Sequence, residues 1–447
     1  METLPLNTHV PLDDTWDVIV AGGGPAGSAA AAAAARQGAR TLLLEGAGCL
    51  GGMATAGLVP AWCPFTDGEK IIYRGLAKRV FNECKAAMPH VRDEIHGWLP
   101  LDPERLKRIY DDLIAGAGAQ VLFHTFVCGV NTEDRALTAV LAASKAGLKA
   151  FGARVFVDAT GDADLCAWAG APFEQGDARG ETQPATLCFI LSNVNTWAFH
   201  FSGRYRGCGD KPWSPTHQIM ASGRYKEIRD LHLCPSVIGP GTVGFNAGHI
   251  WDVDSADPAS VTKAMIEGRR IAAAYRDALA EFDPETFGGA CLAATAPAMG
   301  IRESRRILGD YTLTLDDYIA RRSFDDEICR NSYLIDIHTA KAEIEGNRKG
   351  RSFVAGRYEA YKPGESHGIP YRCLTPKTLR NVLAPGRAIS CERPVQGSVR
   401  VMPACLAMGE AAGVAAALAA RQNAPDVHAV PAQELRSLLR QHGAWLP

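Results

Sequence analysis

The chain has 447 residues, 47% of them hydrophobic and 21% charged, with a formal net charge of -2. That length accommodates two lobes, or one large nucleotide-binding lobe interrupted by insertions, and directs attention to a cleft between them. So balanced a charge gives no global electrostatic reason to expect nucleic acid or an anionic membrane as partner, which leaves small molecules.

The N-terminus has neither a basic start nor an apolar run, so no secretory signal or transit peptide is expected and the cytoplasm is the default compartment. The uncharged stretch from Val18 to Ala35 contains three consecutive glycines and a proline, which argues against a membrane span. Thirteen cysteines are scattered without any CxxC pair, the pattern of reduced, buried thiols rather than of disulfides or iron–sulfur ligands.

In chain order, Trp16 to Ala21 is a short apolar, β-branched run that predicts a buried parallel strand. It ends in Gly22-Gly23-Gly24-Pro25-Ala26-Gly27, and an alanine-rich helix follows at once. Glycine at 22 permits a tight turn, glycine at 24 lets backbone N–H groups approach a pyrophosphate, and glycine at 27 lets the helix lie close to the strand. The helix N-terminus offers the positive end of its dipole to the phosphates. A second strand, Thr41 to Leu44, ends at Glu45, where a carboxylate can accept hydrogen bonds from adenosine ribose hydroxyls and disfavours a 2′-phosphate, hence NADP. The plainer alternative for Glu45 is a solvent-facing residue at a strand end.

The next stretch, Gly48 to Gly57, carries a second glycine pair, Gly51-Gly52, followed by Met53 and Thr55. A glycine pair directly after the acidic residue resembles the glutathione-reductase-like flavoprotein superfamily, whose members lay an extended FAD along this loop. The resemblance makes FAD the implied cofactor and an NAD dehydrogenase the less favoured reading. No histidine lies in this loop to form a covalent flavin link, so the FAD is expected to be non-covalent.

Leu99 to Gln120 predicts a helix entered at Pro103, with apolar residues at 106, 109, 110, 113 and 114 and a glycine-rich exit. Val121–Val130, Leu137–Ala143 and Lys149–Asp158 predict strands, the last running into Ala159-Thr160-Gly161-Asp162. By composition this is only a turn; it resembles the mid-chain motif that returns the chain to the cofactor in the same superfamily. Residues 173 to 300, rich in aromatics and proline, predict a β-sheet of a substrate-side lobe with one helix at Ala259 to Glu281.

Met299 to Asp317, Ile335-Asp336-Ile337-His338, Gly368 to Arg372, Asn381 to Ile389 and Gly397 to Ala419 resemble the family of FAD-dependent oxidoreductases, distantly akin to the flavin-binding component of the heterodisulfide reductases. The likeness spans about 15 to 425. Where the wider superfamily carries Gly-Asp, this chain reads Gly386-Arg387, and the cluster-binding cysteine runs of the heterodisulfide reductases are missing. The implied fold is α/β: a Rossmann-type FAD-binding domain in two parts, 15–172 and 366–425, a β-rich substrate lobe over 173–365, and a C-terminal helix or tail over 426–447. The implied FAD contacts are Gly22, Gly24, Pro25, Ala26, Gly27, Glu45, Gly51, Gly52, Met53, Thr55, Val127, Thr160, Gly161, Asp162, Gly386, Arg387, Ser398, Arg400, Val401 and Met402. No metal site is expected.

After Met402-Pro403, small residues allow a helix N-terminus to approach a planar ring, where its dipole would stabilise negative charge by ~0.3–2 kcal/mol. The plainer alternative is a close-packed Ala/Gly helix. The protein's remaining tasks are to place a substrate near the flavin and to manage one proton. His249, His338 and His367 are the candidate bases, because imidazole titrates near neutrality; for any single one a structural role is the plainer reading. Tyr371 is a proton donor or packing. Arg302, Arg305, Arg306, Arg372 and Arg400 suit an anionic substrate, or buried ion pairs with Glu303 and Asp310, or the FAD pyrophosphate.

The expected activity is a dehydrogenase or reductase acting on a small, anionic or neutral metabolite, with an unknown electron acceptor or donor. A flavin monooxygenase is the alternative, and an electron-transfer component of a larger complex the second. With a single dinucleotide fingerprint, no built-in NAD(P)H domain is expected. A homo-oligomer is left open.

Overall fold

The computed structural model describes residues 9–91, 96–207, 209–338 and 360–447, so positions 339–359 of the expected substrate lobe lie outside the described residues. The first strand, β1 (Leu12–Ala21), starts earlier than its apolar run because Leu12 and Asp13 pair with Ala150 and Phe151 of a later strand. Helix α1 (Pro25–Arg36) follows, with proline in its first turn where a missing N–H costs nothing. Strand β2 (Thr41–Leu44) lies parallel to β1, Val18 opposite Thr41. Helix α2 (Leu76–Ala86) comes next, and then α3 (Pro103–Ala117), whose N-terminal N–H groups of Glu104 and Arg105 donate to the Asp102 side chain at 2.9 and 3.1 Å. Leu99 and Pro100, expected to start that helix, instead bridge to Ala61 and Trp62.

The run expected as one strand from Val121 to Val130 is two, β3 (Gln120–Leu122) and β4 (Phe126–Glu133), broken near His124, which has φ +50. The break is tertiary in origin: β3 pairs parallel with β2, whereas β4 turns away to pair antiparallel with β5 (Ala136–Ser144). Strand β6 (Gly147–Asp158) returns beside β1. Among the described residues the sheet has seven strands in the order β3-β2-β1-β6-β5-β4, with a late strand on β6.

The second lobe is a four-stranded antiparallel sheet built from β7 (Phe189–Ser192), β8 (Leu233–Gly239), β9 (Thr242–Ala247) and β10 (Cys291–Thr295), in the order β8-β9-β7-β10. Helix α4 (Pro258–Phe282), capped by Asp257, packs on it, and Phe189 stacks between Phe245 (4.9 Å) and Tyr275 (6.0 Å) in a core of its own. The chain then returns: β11 (Val382–Leu383) adds parallel to β6, and α5 (Met402–Ala420) packs against α1. A Cβ on Gly409 or Gly413 would stand 2.1 Å from the carbonyl oxygen of Ala26 or Ala30, so the two helices touch backbone to backbone. Helix α5 is long and apolar enough to cross a membrane, with mean hydropathy 1.5, and all of it is buried inside the fold.

Candidate functional site

The parallel strands β1, β2 and β6 end side by side, where ligands of open α/β sheets bind. Gly22 N–H donates to the Leu44 carbonyl (2.8 Å) and Ala159 N–H to that of Ala21 (2.9 Å), so the three strand ends form one rim. A cavity of about 1060 Å³ opens beyond it, between the large sheet and the second lobe. That is at the upper end of ligand sites, ~300–1,000 Å³, as a dinucleotide with a substrate beside it requires.

At the rim, Gly27 is held so close to the turn that a Cβ would stand 1.8 Å from the Gly22 carbonyl oxygen, whereas one on Gly24 would meet nothing within 4 Å. Helix and strand are thus in contact while the space in front of the α1 N-terminus stays open. No side chain caps that terminus. The loop after Glu45 folds back onto the turn, for a Cβ on Gly52 would lie 2.9 Å from Gly24 Cα. The Glu45 carboxylate sits at the strand end, accepting from Gly23 N–H at 2.5 Å and Ala47 N–H at 2.7 Å.

Of the positions expected to hold the cofactor, Gly22, Gly24, Pro25, Ala26, Glu45, Gly52, Met53, Thr160, Gly161, Asp162, Gly386, Arg387, Arg400, Val401 and Met402 line the cavity. Gly27, Gly51 and Thr55 stand behind the wall; Thr55 Oγ1 donates to the Leu50 carbonyl (2.6 Å) and shapes the loop from within. Val127 is on β4, paired with Ala142 and off the wall. Ser398 is buried beneath it, donating to the Tyr333 carbonyl at 2.5 Å. The arginine at 387 finds its counter-charge in Asp162 (2.9 Å); burial works against that carboxyl, but Arg387 holds it below its ordinary value.

Three features fit an extended anionic dinucleotide with a planar ring at its far end. The α1 terminus has uncapped N–H groups beside open space. The α5 terminus, capped by no side chain at Val401, reaches the cavity wall through Val401, Met402 and Cys405. The Nε donors of Arg387 and Arg400 are buried without a partner among the described residues.

Opposite the rim three histidines meet, His232 and His249 from the two ends of the β8–β9 hairpin and His338 from a segment 89 residues after His249. His249 Nδ1 lies 2.7 Å from Asp230 Oδ2, and His249 Nε2 lies 2.8 Å from His338 Nδ1. His338 Nε2 faces Asp336 Oδ2 at 3.6 Å, and Arg400 donates to the Asp336 carbonyl (2.8 Å). His232 stacks on His249, ring centres 4.2 Å apart and 7° from parallel, with Arg302 and Asn246 at its Nε2. Of the three rings, His232 and His338 reach the cavity wall, and His249 stands behind. Burial lowers the pKa of all three; it takes His338 to about 3, helped by Arg302 and opposed by Asp336, so this imidazole is neutral near pH 7. Burial works against the Asp336 carboxylate, but Arg400 and Arg302 hold it well below the usual range.

The three ligating nitrogens lie within 4.8 Å of one another, a spacing that invites a metal. The ring planes do not: imidazole lone pairs lie in the ring plane, and those of the parallel His232 and His249 cannot converge on one ion. The cluster reads as a proton network.

His367, Tyr371 and Arg372 are not brought to the cavity. Their strand pairs instead with Glu327–Asn331, which itself packs against α5 and the C-terminal helix Ala432–Gln441. His367 is buried with Nδ1 2.6 Å from the Tyr361 hydroxyl, Tyr371 donates to the Val427 carbonyl (2.8 Å), and Arg372 pairs at the surface with Asp326 (2.9 Å). Other arginines are likewise spent on internal partners: Arg305 on Asp164 (2.8 Å) and Arg306 on Glu303 (2.9 Å). Asp310, expected to pair with an arginine, accepts from Thr375 and meets His428. Sequence reading missed Asp230, His232 and Asp336; an Asp-x-His triplet occurs at 230–232 and 336–338, but also at 426–428 away from the cavity, so it does not single them out.

A family model described as FAD dependent oxidoreductase matches residues 17–439. Among solved structures, a geranylgeranyl bacteriochlorophyll reductase-like protein from Thermoplasma acidophilum superposes with a TM-score of 0.51 at 13% identity, covering 98% of this chain and 85% of that one. The flavin-dependent brominase Bmp2 gives 0.45 at 12% identity, covering 95% and 83%. The p-nitrophenol 4-monooxygenase PnpA from Pseudomonas putida gives 0.39 at 11%, covering 66% and 69%. No curated protein matches the chain. At such identities the first of these likenesses speaks for the fold alone.

Proposed function

The chain belongs to the family of FAD-dependent oxidoreductases, and from that premise we propose that it is a dehydrogenase or reductase of a small molecule in which His338 handles the substrate proton. FAD is its cofactor, and when bound it supplies a hydride acceptor or donor at the ring nitrogen N5. The rim glycines, Glu45 and the α1 terminus would hold its adenosine and pyrophosphate end, and the α5 terminus with Arg387 and Arg400 its far end.

The observation that carries the proposal is the hydrogen-bond direction along Asp230, His249 and His338. A carboxylate only accepts, so Asp230 fixes the proton of His249 on Nδ1 and leaves Nε2 as an acceptor. His249 Nε2 in turn fixes the proton of His338 on Nδ1, at 2.8 Å. His338 Nε2 is then a bare lone pair at the cavity wall, 3.6 Å from the Asp336 carboxylate. Taking up one proton there turns a repulsive contact into an ion pair. The ring is neutral at working pH and oriented from behind, and Asp336 offsets part of the burial penalty that lowers its basicity. In the oxidative direction it accepts the hydrogen of a substrate hydroxyl or amine; in the reductive direction it returns it.

The test is anaerobic mixing of the FAD-loaded protein with a panel of alcohols and amines, without NAD(P)H. Bleaching of the visible flavin band by members of that panel is the expected result. Bleaching by NADPH alone, followed by oxygen uptake and an oxygenated product, would overturn the reading in favour of a monooxygenase.

A further inference from the structure

The side of the cavity beyond the histidines is lined by Pro60, Trp98, Pro235, Tyr333 and Leu334. Trp98 stands edge-on to Tyr333, ring centres 5.7 Å apart, yet is 58% exposed, and Leu334 is 50% exposed. Two large apolar side chains on the wall of a cavity, each half open, are surface waiting to be covered by whatever enters.

The Nη groups of the cavity's arginines are already engaged, those of Arg302 by neutral acceptors and those of Arg387 and Arg400 by carboxylates. Arg302 donates to the Pro184 carbonyl, Thr186 Oγ1 and Asn246 Oδ1 at 2.8, 2.8 and 3.1 Å. Arg387 pairs with Asp162 at 2.9 Å and Arg400 with Asp336 at 3.7 Å. A substrate carboxylate beside His338 would find the Nη donors of Arg302 already engaged and would stand against the Asp336 carboxylate, 3.6 Å from His338 Nε2. A hydroxyl faces no such conflict: it donates to a neutral imidazole and leaves the ion pairs intact.

We infer that the substrate is an uncharged, largely apolar molecule carrying a hydroxyl at its reacting end, which seats on the Trp98–Leu334 wall and donates to His338. The inference rests on the reading of His338 as proton acceptor. The probes are cyclopentanol, cyclohexanol, cycloheptanol and cyclooctanol, with hydroxycyclohexanecarboxylate as the charged counterpart. Each is titrated into the oxidised, FAD-loaded protein, and binding is followed by the shift of the flavin band and by tryptophan fluorescence.

Each added methylene is expected to tighten binding about fourfold, the factor equivalent to ~0.8 kcal/mol per buried CH₂. The carboxylate should bind at least about tenfold more weakly than cyclohexanol. Trp98→Ser should flatten the series while the flavin spectrum of the free protein stays as it was. Equal or tighter binding of the carboxylate, affinity independent of ring size, or no saturable binding of any alcohol overturns the inference. Anaerobic bleaching in the same samples separates the two claims. Graded binding of alcohols that never bleach the flavin leaves the substrate class standing and sinks the proton-acceptor reading, whereas bleaching by the carboxylate in preference to the alcohols does the reverse.

Discussion

The two walls of the cavity are built on opposite principles. The cofactor wall is backbone against backbone: Gly27 under the Gly22 carbonyl, Gly52 against Gly24, and α5 against α1 through Gly409 and Gly413. Its chemistry lies in N–H groups that the turn cannot help presenting. The histidine wall is side chain against side chain, with Asp230, His249 and His338 drawn from three separate stretches, and its chemistry lies in where protons sit along that line. The first wall therefore fails by steric intrusion, all at once, and the second by loss or reversal of a proton, with the fold intact.

The sharpest break is at the cofactor wall. Gly27→Val should abolish FAD retention outright, since its Cβ would stand 1.8 Å from a carbonyl oxygen, and a destabilisation above ~4 kcal/mol is expected of such a clash. Flavin-to-protein absorbance ratio and thermal unfolding measure it; a variant as yellow and stable as the parent would refute the close approach. On the histidine wall, His338→Gln should keep the flavin and its spectrum while slowing anaerobic reduction by a reactive substrate by ~10²–10⁴-fold, the range of general-base catalysis. An unchanged rate would remove His338 from the mechanism.

Asp230→Asn tests the proton direction itself. An amide N–H donating to His249 Nδ1 would move the His249 proton to Nε2, the His338 proton to its own Nε2, and so occupy the lone pair at the wall. A fall in the reduction rate of ~10–100-fold is expected, the size typical for groups that orient an imidazole. Rapid-mixing kinetics check it, and Asp230→Glu should restore part of the loss.

The gentlest contrast is in pH dependence of stability, where the two walls have opposite signs. Burial raises Glu410 in α5 to about 7, against the pull of the Leu76 N–H and Arg36, from an ordinary 4.5. The unfolded chain loses this proton first, so native stability falls as pH rises from about 4.5 to about 7 and stays low above it. Glu410→Gln should stabilise the fold above about pH 7 by up to ~3 kcal/mol, at ~1.4 kcal/mol per pKa unit, and change little near pH 5; melting curves at the two pH values check it. His338 behaves in reverse. With a folded pKa of about 3 and an ordinary value of 6.5, it is the unfolded chain that binds the proton first as pH falls, so stability is lost from about 6.5 downward. His338→Gln should make that acid limb of the melting curve shallower, and a limb as steep as in the parent would show that the ring is not held neutral.

What the sequence determined by itself is the local geometry of the first turn of the cofactor wall. Glycines at 22 and 27 between a β-branched run and an alanine helix leave one local geometry, because Gly22 takes a φ of +93 and Gly27 lies under the Gly22 carbonyl, while Gly24 keeps the space before the helix open. Helix α3 was equally legible, its Asp102 cap and Gly118 exit both being local signals. What only the tertiary structure decided is which polar residues face the cavity. His249, His338 and His367 are alike in sequence, and nothing local distinguishes two that meet at 2.8 Å from one that is buried beside Tyr361. Asp230 and Asp336 acquire meaning only when the second lobe closes over the strand ends. A proton's position along Asp230, His249 and His338 depends on contacts between positions 19 and 89 residues apart, and no local pattern encodes those.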